Sequence, residues 1–168
     1  MKVYAQDSLD VRPHGTRLIQ EHLTVEPHGS VTVQGDLTVQ GGVLIKTDGS
    51  LVVREGGTAT VQGALTLHGF LVVDGALTVQ GPLLVHGTLL VSGGMTVQGR
   101  LVIQPEGSAT VEGYVTVQGS LKLQPRGALQ GKPPGTIRVV GHLEGFPDQL
   151  EQSQSQHQFE SALEVTRT

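Results

Sequence analysis

The chain has 168 residues, and this length predicts a single domain. Glycine accounts for 24 residues and aromatic side chains for 3% of the chain, which disfavours an ordinary globular core built on large rings. The net charge of −4, with no basic run, disfavours a nucleic-acid partner, and the absence of cysteine excludes disulfides and thiolate metal sites. The first residues lack the apolar stretch of a signal peptide, and no run of about 18 apolar residues occurs. We therefore expect a cytoplasmic protein, with membrane association left open.

Residues 1–7 form a short N-terminal tail, and a six-residue repeat begins after them. Glycine recurs with a step of six, as in Gly29, Gly35 and Gly41 and again from Gly57 to Gly99. Between glycines, aliphatic residues alternate with variable ones, and this period of two is typical of short strands. Strands separated by single-glycine corners have no room for hairpin turns. The pattern therefore favours consecutive sides of a parallel β-solenoid.

Cutting the chain at each unit end and wrapping three units per turn gives six coils. They span residues 8–29, 30–49, 50–69, 70–87, 88–107 and 108–127, and the three strands of each coil lie on sides A, B and C in that order. The second and fourth residues of every unit are Val, Leu, Ile, Met or Ala, except for Arg17. Six corners carry two extra residues, and all of them fall on sides A and C. We predict an all-β, three-sided solenoid domain over residues 8–145, with six coils that span about 29 Å at about 4.8 Å each.

The outward residues differ between the sides. On side B, Thr38, Thr60, Thr78, Thr96 and Thr116 form one predicted column beside a column of glutamines, which we interpret as structural ladders; a flat ice-binding face is the less favoured alternative. Side A carries an apolar set that we call the lateral patch: Val52, Phe70, Val72 and Leu90. Such patches mark association surfaces unless a terminal segment covers them. His68 and His86 stack on side C, but no carboxylate joins them, so we predict solvated strand residues and no metal site.

The two ends of the repeat are candidate assembly surfaces, because a solenoid leaves an unpaired strand edge at each end. The predicted end-to-end interface consists of Leu9, Val11, Leu121, Leu123, Leu129, Ile137, Val139 and Phe146. The six-residue pattern breaks at Lys132, and one more strand-like piece follows at 136–141. Residues 146–168 are rich in Gln and Ser and are predicted to be a flexible polar tail.

Over residues 8–131 the chain resembles the bactofilins, a bacterial family of polymer-forming cytoskeletal proteins. The resemblance consists of six short three-sided coils, polar tails and two phrases near the end of the repeat, at residues 101–113 and 121–131. It implies a right-handed β-helix that polymerises end to end without nucleotide. It also implies that the filaments scaffold membrane-associated or cell-envelope proteins.

Three other classes remain as alternatives. A phage or cell-surface fibre or adhesin would use the same solenoid as a trimeric shaft. A hexapeptide-repeat acyltransferase needs a small residue where this chain has Leu or Val, as at Leu37 and Leu65, and a catalytic histidine on a long loop. A division inhibitor of the MinC type would bring a second domain. The chain also lacks a phosphate-binding glycine loop and an acid–base pair, so we predict that it is not an enzyme and binds no cofactor.

Overall fold

The chain folds as a three-sided parallel β-solenoid. The computed structural model describes residues 2–3, 8–131, 136–144 and 164–167, and these form 23 short strands and no helix. The strands lie in three parallel sheets, one on each side of a triangular coil. The all-β solenoid predicted from the repeat is thereby confirmed, while its right-handedness stays a prediction.

Strands are numbered β1 to β23 in chain order, and every third strand falls on the same side. Side A consists of β2 (Ser8–Val11), β5 (Ser30–Val33), β8 (Ser50–Val53), β11 (Phe70–Val73), β14 (Thr88–Val91), β17 (Ser108–Val111) and β20 (Ala128–Gly131). Side B consists of β3 (Thr16–Ile19), β6 (Asp36–Val39), β9 (Thr58–Val61), β12 (Ala76–Val79), β15 (Gly94–Val97), β18 (Tyr114–Val117), β21 (Thr136–Val139) and β23 (Glu164–Arg167). Side C consists of β1 (Lys2–Val3), β4 (Leu23–Val25), β7 (Val43–Ile45), β10 (Leu65–Leu67), β13 (Leu83–Val85), β16 (Leu101–Ile103), β19 (Leu121–Leu123) and β22 (Leu143–Glu144).

The strands pair in the register that the sequence predicts. Thr78 lies opposite Thr60 in the coil before it and opposite Thr96 in the coil after it. The pairing continues from Thr60 to Thr38 and from Thr96 to Thr116, so the threonine column of side B is straight. Because side chains alternate between the two faces of a strand, this register also fixes which residues point inward.

The interior of the triangle is filled by the second and fourth residues of the strands. All of these residues in the six predicted coils are buried except Leu9, which is partly buried, and Arg17, which is exposed at the first coil. No polar or charged side chain of the described residues is buried. Each buried Val or Leu contributes roughly 1.5–3 kcal/mol to folding, so an aliphatic stack is sufficient without aromatic rings.

The six long corners among the described residues are tight turns, and five of them hold a residue other than glycine in a left-handed conformation. In every one, the N–H of the closing glycine donates to the carbonyl three residues earlier, as from Gly15 to Arg12 at 2.8 Å and from Gly107 to Gln104 at 2.9 Å. The residue before that glycine has a positive φ, for example 63° at His14 and 72° at Glu106. A positive φ at this position, with proline before it in four of the six corners, is the pattern of a type II turn.

The short corners need glycine for a different reason. Gly56 is the only described glycine with a positive φ, so most corner glycines have a backbone that other residues can adopt. What they lack is space. A Cβ on Gly81 would lie 2.7 Å from the carbonyl oxygen of Gly63 in the coil below, closer than real Cβ contacts. Glycine is therefore required because the corners stack backbone on backbone.

The solenoid extends beyond the six predicted coils at both ends. Strands β20, β21 and β22 add a seventh coil, β23 pairs with β21 on side B, and β1 pairs with β4 on side C. The segments predicted as tails thus supply the strands Lys2–Val3 and Glu164–Arg167, while residues 146–163 lie outside the described part of the chain. A sheet of eight strands is about 38 Å long at about 4.8 Å per strand, rather than the 29 Å expected from six coils.

Candidate assembly site

The residues predicted for the end-to-end interface lie mostly inside the coils. Leu121, Leu129, Ile137 and Val139 have no exposed side-chain surface, and Val11 and Leu123 are each 4% exposed. Leu9, in the first strand of side A, is partly buried against the core. Phe146 lies outside the described residues. The inward side chains of the end coils therefore support the last rungs of the solenoid, and their role in assembly stays a prediction.

What the ends offer to a neighbour is backbone. On sides A and B the first and fifth residues of a unit donate toward the preceding coil, as Ser108 N–H does to Gly87 and Glu112 N–H does to Val91, and strand alternation turns the third residue the same way. The same alternation turns the N–H of Leu18, the third residue of β3, toward the free edge of the first coil, since β6 is the one described partner of β3. Leu18 is also 50% exposed, as an outward residue where later coils carry threonine.

At each end of the solenoid one side extends a strand beyond the other two, and the two ends are complementary in shape. At the N-terminal end side C projects one strand further than sides A and B, through β1. At the C-terminal end side B projects one strand further than sides A and C, through β23. Consider a second subunit displaced by eight rungs along the axis, beyond the C-terminal end of the first. Strand β22 of the first subunit then lies next to β1 of the second on side C, and β23 of the first lies next to β3 of the second on side B. Side A then lacks one rung between the two subunits.

The lateral patch is a continuous outward surface on side A. Val52, Val72 and Leu90 are direct register partners in three successive strands. All three are partly exposed, and Phe70, at the start of the middle strand, is 51% exposed. The structure brings the four predicted residues together, and whether they bind a partner stays a prediction.

A charged column beside the lateral patch was missed by the sequence reasoning. The residues that follow the side A strands stack at the corner between sides A and B, joined rung by rung through bonds such as Asp74 N–H to Val53 O at 2.7 Å. In order along the axis, over coils 1 to 6, they are Arg12, Gln34, Arg54, Asp74, Ser92 and Glu112. The sequence contains the signal for this column, because these are the fifth residues of the side A units in those six coils.

The matching corner on side C is a ladder of paired polar side chains. Lys46 Nζ lies 2.9 Å from Glu26 Oε2, and the imidazole rings of His68 and His86 stack with centroids 4.5 Å apart and planes 15° from parallel. Partial burial, and then the repulsion of His68, hold the pKa of His86 below its ordinary value. Among the described residues no three His, Cys, Asp or Glu side chains are grouped closely enough to hold a metal ion.

The surface of the described residues carries several shallow concave regions. One, with a volume of about 850 Å³, is a polar notch lined by residues of the two long side A corners, by Gln34 between them and by Asp74 and Ser92 beyond. Its charged and titratable side chains are His14, Arg54, Glu55 and Asp74. The described part of the chain does not include a helix long and apolar enough to cross a membrane.

Comparison of the chain with protein-family models, with curated proteins and with solved structures found no match. The features of the chain that bear on its function are therefore the solenoid itself, its uneven ends and its outward columns.

Proposed function

We propose that this chain is a non-enzymatic structural protein that assembles end to end, without nucleotide, into filaments or scaffolds. The observation that supports this proposal most is the pair of offset ends, where a parallel edge with no further described strand at one end matches such an edge at the other. Unpaired edges of this kind invite another chain to add strands. The resemblance to bactofilins points in the same direction, and the envelope-protein partners it implies stay predictions.

The offset favours head-to-tail stacking over stacking through two like ends. In a head-to-tail contact each projecting strand meets a recessed side, so that β22 of one subunit pairs with β1 of the next and β23 pairs with β3. Stacking two C-terminal ends with side B against side B would oppose two projecting strands. We therefore expect each head-to-tail line of subunits to be polar, with an axial repeat of about 38 Å, from eight rungs of about 4.8 Å.

The test uses the free edge of β3. Leu18→Pro removes an N–H that points away from the sheet, and proline is tolerated on an edge strand at such a position. The control Leu18→Thr keeps the N–H and installs the residue that later coils carry in that column. We expect negative-stain microscopy and sedimentation to show filaments for the wild type and for Leu18→Thr, and only short species for Leu18→Pro with an unchanged circular dichroism spectrum.

Three outcomes would contradict the proposal or replace it. A wild-type protein that stays a monodisperse monomer at high concentration would mean that its ends are capped. A trimer resistant to SDS would favour the fibre module. Reproducible thermal stabilisation by acetyl-CoA would favour the acyltransferase, whereas we expect no shift with ATP, GTP or acetyl-CoA.

A further inference from the structure

The charged column at the corner between sides A and B divides into two halves of opposite sign. Arg12 and Arg54 lie in coils 1 and 3, and Asp74 and Glu112 lie in coils 4 and 6. Gln34 and Ser92 occupy the remaining rungs, in coils 2 and 5. Every residue of the column except Glu112 is exposed, and Glu112 is partly exposed. Over coils 1 to 6 the sign therefore changes once along the axis, between coils 3 and 4.

The lateral patch lies at that point of sign change. Val52 is in coil 3, Val72 and Phe70 are in coil 4, and Leu90 is in coil 5. The outward residues further toward both ends of side A are polar: Asp10 and Thr32 on one side, Thr110 and Gln130 on the other. Side A is thus an apolar centre with a basic and an acidic half along one margin, which is the layout of a specific interface.

We propose that two copies of this chain pair face to face through side A with their solenoid axes antiparallel. The two-fold axis runs parallel to the strands and passes between coils 3 and 4, so that coil 1 of one copy lies opposite coil 6 of the other, coil 2 opposite coil 5 and coil 3 opposite coil 4. Arg12 then lies opposite Glu112 of the second copy, and Arg54 lies opposite its Asp74. Val52 lies against Val72, and Phe70 covers Ser50. Each of these contacts occurs twice, as two-fold symmetry requires.

The shape of the corner agrees with the same axis. Among coils 1 to 6, long corners occur on side A at 12–15 and 54–57, in coils 1 and 3, where they enclose the 850 Å³ notch around Gln34. Coils 4, 5 and 6 have short corners there. Under the proposed symmetry each protruding corner lies opposite a short one, and the recessed Gln34 lies opposite Ser92.

Other arrangements of the same face lose the charge pairing. An axis through coil 4 would place Asp74 against Asp74 and leave Arg54 opposite Ser92. Parallel solenoid axes would place the charged column against the first residues of the strands, which include Ser8 and Ser50. Like charges in register are costly and complementary ones select the partner. If the six paired coils of side A are covered, about 29 Å by 17 Å on each copy, the contact buries about 1,000 Å² in total, which is the lower limit for a specific interface.

The pairing is tested by cysteine cross-linking, because the chain has no cysteine of its own. Protein carrying Gln34→Cys is mixed with protein carrying Ser92→Cys under mild oxidation. We expect disulfide-linked dimers in the mixture and few when either protein is oxidised alone. In the proposed pair, like cysteines of the two copies are at least three rungs, or about 14 Å, apart, which is too far for a disulfide. More cross-linking of Gln34→Cys with Glu112→Cys, or of either cysteine with itself, would overturn the proposed axis.

A charge-reversal series tests the contact without cross-links. Arg54→Glu or Asp74→Arg alone should weaken pairing about tenfold in sedimentation equilibrium, since each puts like charges in register twice per dimer. The double variant Arg54→Glu/Asp74→Arg should restore the wild-type affinity. Equal affinity of all four proteins, or a wild type that does not pair, would overturn the inference.

This contact is separate from the end-to-end contact, because Leu18 lies on side B and the charged column borders side A. The Leu18→Pro protein should therefore still form the antiparallel pair. If the wild type forms pairs but no filaments, the end-to-end proposal alone is contradicted. If its filaments are one subunit wide, the pairing alone is contradicted.

Discussion

The inside and the outside of the triangle follow different rules, although they use alternate residues of the same strands. Inside, the three sides are alike, because each buried position on every rung is occupied by Val, Leu, Ile, Ala or Met. Outside, side B carries threonine, side A an apolar patch with a charged margin, and side C a ladder of ion-paired and stacked side chains. The inward residues must all exclude water and fill a triangle of constant cross-section, whereas the outward residues are not constrained by packing and can differ from side to side. The difference teaches that association must be sought in the outward columns, one side at a time.

The most sensitive test of the difference between inward and outward positions is to place the same charge on each face of one strand. Val79 has no exposed surface, whereas its neighbour Thr78 points outward and is partly exposed. Val79→Asp should cost more than about 4 kcal/mol, because it buries an unpaired carboxylate. Thr78→Asp should cost less than about 1 kcal/mol, like most surface changes. Chemical denaturation monitored by circular dichroism compares the two, and equal losses would mean that the inward register is wrong.

A second pair of neighbours tests the close stacking of corners. A Cβ on Gly93 would lie 2.5 Å from the carbonyl oxygen of Asp74, whereas a Cβ on Gly94 would meet nothing within 4 Å. Gly93→Ala should therefore destabilise the protein by about 1–3 kcal/mol, as overpacking does. Gly94→Ala should be neutral or should stabilise by up to about 1 kcal/mol, because alanine loses less backbone freedom on folding. If Gly93→Ala and Gly94→Ala lower the melting temperature equally, the corners require glycine for its backbone flexibility and not for lack of space.

The long corners offer a smaller effect of the opposite sign. Glu106 has a φ of 72°, and its ion pair with Arg126, at 3.4 Å, is more than 70% exposed on both sides. Glu106→Gly relieves a left-handed backbone that costs about 1 kcal/mol or more, and it loses an ion pair of little value. We expect Tm to rise by about 2 °C. Asp48→Gly should gain less, because aspartate tolerates positive φ better than glutamate does. A fall in Tm with Glu106→Gly would mean that the exposed ion pair matters more than the strain.

The smallest expected effect concerns the histidine stack on side C. The pKa of His86 is lowered in the folded chain, so below its ordinary value of 6.5 the unfolded chain binds more protons than the folded one. Stability from this group is complete above about pH 6.5 and is lost as the pH falls through the folded pKa. His68 faces His86 from one side, with Lys46 beyond it, and Gln104 follows on the other side. His86→Gln should reduce the fall in Tm between pH 7.5 and 5, and an unchanged pH profile would argue against the stack.

Sequence alone predicted the assembly surfaces less well than it predicted the coils. The lateral patch residues were found because apolar outward residues break a clear alternation, as at Val72 and Leu90. The charged column was not found, because its residues are about 20 positions apart in the chain and differ in type. The residues chosen for the end contact, such as Ile137 and Val139, are apolar because they fill the seventh coil. The sequence does not distinguish a hydrophobic residue that packs in the core of an end coil from one that contacts a second subunit.

The repeat by itself determined the three-sided coil, the inward set and the threonine column, because each of these depends on local alternation and on a constant number of residues per turn. Only the tertiary structure decided where the solenoid stops. The strands Lys2–Val3 and Glu164–Arg167 carry no repeat, and they join sheets because an exposed edge accepts any backbone that reaches it. It also decided why glycine stands at the short corners. The distance between stacked carbonyls, rather than the turn itself, excludes a Cβ there, and that distance exists only once one coil lies on another.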